Sequence, residues 1–194
     1  MCHDADPNDA HRALVRLEEV LGDGFTLVTQ NVDGLHLRAG NTRARTYEIH
    51  GNIDFMRPTD GDSTTLCKIP ASVREAARGS DEELLDALRC PRTGAAYRPH
   101  VLWFDEFYTE DLFRYESALR VTANADLLVV VGTSGATNLP TQMVSMAAQA
   151  QIPFVDINVN WNTFGHAASK LPHGLSLRGK AGDLLPILVE AIAA

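Results

Sequence analysis

Residues 29–36, Thr29-Gln30-Asn31-Val32-Asp33-Gly34-Leu35-His36, set two side-chain amides and a carboxylate just past a short apolar run. In open α/β sheets, ligands bind in the crevice outside the carboxyl ends of strands, so these residues are candidates to hold a polar ligand. They also suit a simple capped turn in which Asn31 and Asp33 bond nearby backbone, and composition alone leaves both readings open. His50 poses the same choice. It closes the strand-like Tyr47-Glu48-Ile49 ahead of Gly51, where a neutral imidazole serves as a general base or as a structural group. Gly132-Thr133-Ser134-Gly135 follows another apolar run and precedes a helical pattern, so its amides and hydroxyls can meet a ribose or a phosphate.

These residues need strands to carry them. Ala10, Ala13, Leu14, Leu17 and Leu21 form a helical stripe that Gly22-Asp23-Gly24 ends, and residues 25–29 read as a buried strand. The alternation recurs with a helix over 112–124, a strand over 127–131, a helix over 139–150 and a strand at Phe154-Val155-Asp156-Ile157. A last helix follows Asp183, with Leu185, Leu188, Val189 and Ile192 on one side. Strands apolar enough for burial on both faces, alternating with helices, predict a doubly wound parallel, Rossmann-like α/β sheet. Residues 52–98 break the rhythm with Pro58, Gly61, Pro70, a helical piece over 73–88 and Cys90-Pro91-Arg92-Thr93-Gly94. The expected organisation is a Rossmann-like domain from 1–51 and 99–194, with 52–98 as a small inserted lobe. A strand leading into a glycine-rich phosphate turn near the amino terminus is missing from this pattern, because Gly22-Asp23-Gly24 follows a helix and precedes a strand.

Composition narrows the class. The 194 residues are 45% hydrophobic and 22% charged, which excludes a disordered, collagen-like or coiled-coil chain. Seventeen basic against 25 acidic residues give a net charge of −8, which disfavours nonspecific binding to nucleic acid or anionic membrane. No apolar run approaches the roughly 20 residues of a membrane helix. The start, Met1-Cys2-His3-Asp4-Ala5-Asp6, has neither the basic residues nor the apolar stretch of a secretion signal, and three widely spaced cysteines do not suggest a disulfide framework. The expected location is the cytoplasm.

Taken together and in order, Pro7-Asn8-Asp9-Ala10-His11-Arg12-Ala13-Leu14, residues 29–36 with Arg38-Ala39-Gly40, His50-Gly51, Arg98-Pro99-His100-Val101-Leu102-Trp103-Phe104, Gly132-Thr133-Ser134, Ile157-Asn158 and Gly179-Lys180-Ala181-Gly182-Asp183 closely resemble the sirtuin family of NAD-dependent protein deacylases. The resemblance runs from about Pro7 to the carboxyl terminus and is weakest from Asn52 to Tyr97. It implies a reaction in which the acyl oxygen of a modified lysine displaces nicotinamide from NAD, and the acyl group leaves on ADP-ribose. It assigns Gln30, Asn31 and Asp33 to the nicotinamide and its ribose. His50 becomes the base that takes a ribose hydroxyl proton. Gly132, Thr133, Ser134, Asn158 and Ala181 fall to the adenosine half, and Val101, Trp103, Phe104 and Asp105 to an extended acylated protein or peptide substrate. The catalytic set is then His50, Asn31 and Asp33.

Four departures from the family pattern shape the expectations. The family's opening strand, phosphate turn and mobile loop have no counterpart. The expectation is therefore a longer natural protein with Met1 internal, or a homodimer or partner chain that completes the sheet. The family's small lobe holds zinc on four cysteines, whereas only Cys67 and Cys90 lie here and Thr93 stands where a partner of Cys90 would be. The lobe reads as a degenerate zinc ribbon, without metal. Phe-Gly-Glu becomes Phe104-Asp105-Glu106, which sets a side chain and a charge beside the peptide. Thr137-Asn138-Leu139-Pro140 is one residue longer than the usual spacing after Gly135. The alternatives to a deacylase are a catalytically inactive structural or assembly module and an NAD hydrolase or ADP-ribosyltransferase.

Overall fold

The computed structural model describes residues 5–59, 65–89 and 94–194. Helix α1 (Asp9–Leu21) starts where the Asn8 side chain accepts from the amides of Ala10 and His11, satisfying two donors that the first turn leaves unpaired. Its apolar stripe buries Ala10, Ala13 and Leu17 against helix α9 (Ala181–Ala193). Strand β1 (Leu27–Thr29) runs parallel to β2 (Thr46–Glu48), with the short helix α2 (Leu35–Ala39) between them. A second parallel ladder holds β6 (Leu128–Val131), β7 (Phe154–Asn158) and β8 (Gly174–Arg178) in that order. Phe25 and Leu27 share one core cluster with Val129, Val131, Val155, Ile157 and Leu177 beneath α1 and α9. Val28 and Tyr47 face the other way, toward α6 (Tyr115–Ala123) and α7 (Asn138–Gln149). Helices on both faces of parallel strands are the doubly wound arrangement that the alternating pattern predicts.

The parallel strands form two ladders rather than one sheet. Among the described residues β1 pairs only with β2 and β6 only with β7. The amide of Leu27 and the carbonyl of Thr29 are spent on the β2 side, so by strand alternation the peptide groups of Val28 point to the opposite edge. On β6, Leu128 and Gly132 donate toward β7, which turns Val129 and Val131 to that same open side.

Residues 51–101 include an antiparallel sheet ordered β4 (Cys67–Lys68), β3 (Gly51–Pro58), β5 (Tyr97–Val101). The helical piece expected over 73–88 is two helices, α3 (Ala71–Ala76) and α4 (Asp81–Ala87). The break is local: Ser80 accepts from the Glu83 amide and Glu83 returns the bond to the Ser80 amide, so a new helix starts there. The helix expected over 112–124 divides into α5 (Glu110–Phe113) and α6, because Arg114 takes a left-handed conformation at φ 54°. Helix α8 (Thr163–Ala168) and strand β8 were not legible as elements. Among the described residues no helix is long and apolar enough to cross a membrane.

Asp156, fully buried in β7, fixes the ends of β7 and β8. It accepts from Arg178 Nη2 at 2.8 Å and lies within reach of Asn162 and Ser176, while Arg178 also donates to the carbonyls of Asn158 and Asn160. Without Asp156, Arg178 keeps only neutral partners, the Asn158 and Asn160 carbonyls and Ser176, for a charge that is largely withdrawn from water. Asp156→Ala should therefore lower unfolding free energy by about 3 kcal/mol in urea titration, and Asp156→Asn by less. Equal losses would show that the amide oxygen recovers none of the bonding and that the charge of Asp156 carries the whole effect.

Candidate functional site

β1 runs parallel to β2 and β6 to β7, and side-chain bonds from Gln30 bring the residues that follow the two ladders together. Thr29 leads into Gln30 and Asn31, Glu48 into Ile49 and His50, Val131 into Gly132-Thr133-Ser134, and β7 ends at Asn158. The Gln30 side chain crosses between the two ladders. Its Nε2 donates to Thr133 Oγ1 at 2.9 Å and its Oε1 accepts from Thr137 Oγ1 at 2.7 Å. Asn158 Nδ2 donates to the Thr133 carbonyl at 2.9 Å, and the Gly179 amide donates to the Asn158 carbonyl. The last bond ties the start of α9, including Ala181, to the same edge.

Asn31 is exposed and Asp33 half-buried. Asp33 Oδ1 accepts from the Leu35 amide at 3.0 Å and its carbonyl accepts from Arg38, so Asp33 shapes the turn whatever else it does. The turn is joined to β3 by a bond from the Ile53 amide to the Val32 carbonyl. Gly34 enters α2 at φ 68°, with the side chains of Asn52 and Asp54 close by. Asn52, nearly fully buried, bonds Glu48 and the Asp54 amide beneath this turn.

His50 sits where the parallel ladder ends and the antiparallel sheet begins. Gly51 makes that junction possible: it lies at φ 86°, and a Cβ there would meet the His100 carbonyl oxygen at 2.0 Å. His50 Nε2 is 2.9 Å from the Tyr108 hydroxyl, and the Gln30 carbonyl lies close enough to the ring to favour its protonated form. Burial lowers the imidazole pKa below its ordinary value, against the smaller raising effect of that carbonyl, which leaves a neutral ring available to accept a proton at pH 7.

Val101 closes β5, opposite Gly51, and the Leu102 amide donates to the His50 carbonyl. Beyond it, Trp103, Phe104 and Phe107 are exposed, Phe104 completely. Asp105, at the glycine of the family pattern, is not among the described residues with positive φ, so the backbone accepts the side chain without strain. Glu106 secures the segment. It accepts from Arg98 at 2.6 and 3.0 Å, from Arg57 at 2.9 Å and from the Trp103 amide at 2.9 Å, and Arg98 lies 3.5 Å from the centre of the Trp103 ring.

Sequence reasoning missed Tyr108, Thr137, Asn52 and Glu106 as parts of this arrangement. Tyr108 stands 58 positions from His50 and no local spacing joins them. Of the cysteines, Cys67 lies on β4 and is free, whereas Cys90 and Thr93 fall outside the described residues. Among the described residues no three His, Cys, Asp or Glu side chains converge as metal ligands, and Cys67 alone does not make a four-ligand zinc site.

A sequence profile described as the Sir2 family matches residues 1–138. An NAD-dependent protein deacylase of Leptospira interrogans is 35% identical over 188 residues, covering 96% of this chain and 68% of its own length. One of Pyrococcus abyssi is 33% identical, covering 97% and 69%. A crystal structure of a Sir2 homologue in complex with NAD superposes at a TM-score of 0.77 with 27% identity, over 98% of this chain and 66% of that one. A mutant Sir2 homologue in complex with 2′-O-acetyl ADP-ribose superposes at 0.79 with 29% identity, over 98% and 68%. The chain thus spans about two thirds of the length of the proteins it matches.

Two further histidines near these segments titrate low. His36 is pushed down to about 4, chiefly by burial and then by His11, with Asp33 opposing. His100, stacked on Phe113, is pushed down to about 4 by burial and by Arg57 and Arg98. Unfolded, each binds a proton near 6.5, so between these values the unfolded state holds more protons and stability falls as pH falls. Between pH 7 and pH 5 each should cost about 2 kcal/mol, and His100→Phe, which keeps the stack, should flatten the slope by about that amount in urea titrations. An unchanged slope would mean that His100 is not held neutral.

Proposed function

Because the chain belongs to the Sir2 family, we propose that it transfers the acyl group from a modified lysine of a protein or peptide to the ADP-ribose of NAD, releasing nicotinamide. The observation that carries this reading is the placement of a neutral His50 beside Gln30, at the strand ends that also present Thr133 and Asn158. The donor set suits a dinucleotide: amides and hydroxyls at strand ends for ribose and phosphate, a carboxylate and an amide in the turn after β1 for the nicotinamide ribose. In this assignment Asn31 and Asp33 hold and orient that ribose, and Gln30 holds the nicotinamide end of the strand crevice together. His50 receives the proton of the ribose hydroxyl that attacks the acyl carbon. Gly132, Thr133, Ser134, Asn158 and Ala181 meet the adenosine half. Val101 and residues 103–105 lie along the peptide, which pairs with them through backbone bonds. The division into a dinucleotide-binding domain, 1–51 with 99–194, and a lobe of 52–98 belongs to the same reading.

The open edges of β1 and β6 support a further strand between them. Gln30 spans the two ladders through its side chain where adjoining strands would bond through backbone, and such a strand would direct its carboxyl end at the pyrophosphate. Supplied from the same polypeptide or by a second copy in a homodimer, it would raise NAD affinity in calorimetry relative to the 194-residue chain.

With that strand supplied, nicotinamide release should require both NAD and an acetyl-lysine peptide, and His50→Ala should slow turnover by on the order of 10² to 10⁴ while NAD affinity is largely kept. Release without peptide would favour NAD hydrolysis or ADP-ribosyl transfer. No release under either condition would favour an assembly module.

A further inference from the structure

Tyr108 has no role in the assignments above, yet its hydroxyl lies 2.9 Å from His50 Nε2. Its ring is stacked between two others, with centroids 5.9 Å from His50 and 6.1 Å from Tyr115, and Tyr115 is in turn tied by its hydroxyl to Gln142 on α7. Tyr108 packs against the buried cluster of Ile49, Ala118, Leu139 and Met143, and its hydroxyl lies near Thr137, the residue whose own hydroxyl donates to Gln30. The groups facing the imidazole therefore come from two directions: the Gln30 carbonyl from the end of β1, and the Tyr108 hydroxyl from the segment ahead of α5, backed by Thr137 and Tyr115.

A carbonyl only accepts, so the Gln30 carbonyl beside the ring favours a proton on Nδ1, since Nε2 is the nitrogen that meets Tyr108. A neutral ring then has Nε2 bare, and the Tyr108 hydroxyl is the donor that meets it. We propose that Tyr108 is a positioning residue for the base: its hydroxyl donates to His50 Nε2, holds the ring in the Nδ1–H form, and gives up that bond to the substrate hydroxyl whose proton His50 takes. A single lone pair accepts one such bond at a time, so the phenol occupies the place that the ribose hydroxyl must take, and the nearby Thr137 offers it a partner when it is displaced. The proposal rests on the assignment of His50 as the base.

The pairing can be read without turnover. In the full chain labelled with ¹⁵N-histidine, the His50 signals, assigned by their loss in His50→Gln, should show a protonated Nδ1 and a bare Nε2 at pH 7.5. A protonated Nε2 overturns the proposal, whatever the behaviour of any Tyr108 variant. Donation to Nε2 favours the neutral ring, so Tyr108→Phe should raise the His50 titration midpoint by about 0.3 to 1 pH unit, and a purely packing role for Tyr108 would leave the midpoint where it is. In the strand-completed enzyme, the acid limb of kcat/KM should move upward with that midpoint. A midpoint that moves while the limb stays would remove His50 as the base, and Tyr108 as its positioner with it. A strand-completed enzyme that shows the expected tautomer and midpoint but releases no nicotinamide would contradict the deacylase reading instead.

Discussion

The span of Gln30 between Thr133 and Thr137 is the interaction on which the candidate site depends. Each ladder has its own core contacts, and both send apolar side chains beneath α1 and α9. At the strand ends, however, where a ligand would lie, the two ladders meet through one amide. The carbonyl of the same residue lies beside the His50 ring. Thr137 also lies near the Tyr108 hydroxyl, which meets His50. A polar circuit of this kind holds only while each member keeps its partner, because a buried donor or acceptor left alone costs more than a bond contributes.

The antiparallel sheet supplies the second half of the arrangement. Gly51 lets β3 leave His50 directly under the His100 carbonyl, and the Val101 end of β5 is thereby held alongside His50. Glu106 then gathers Arg57 from β3, Arg98 from β5 and the Trp103 amide, which fixes the aromatic segment relative to that sheet. Asp105 adds a carboxylate next to the exposed Phe104.

Much of the architecture was legible because apolar continuity and helical periodicity are local. The stripe of α1, the runs at β6 and β7 and the helix after Asp183 all stand where the sequence predicts them. The breaks at Ser80 and Arg114 were not legible, since one depends on a reciprocal cap and the other on a single left-handed residue inside an otherwise helical pattern. β8 was missed because its alternating Leu175 and Leu177 lack the continuous apolar run of its neighbours. The residues at the strand ends could be named from their types and order. Their partners could not, because Tyr108 meets His50, and Thr133 meets Gln30, only after the chain has crossed the sheet.

The most direct test of the account is the identity of the acyl acceptor. Mass spectrometry of the strand-completed protein with NAD and an acetyl-lysine peptide should find free lysine and O-acetyl-ADP-ribose formed in equal amounts. ADP-ribose accumulating while the lysine stays acetylated would contradict it, because the strand ends would then bind and cleave NAD without passing the acyl group.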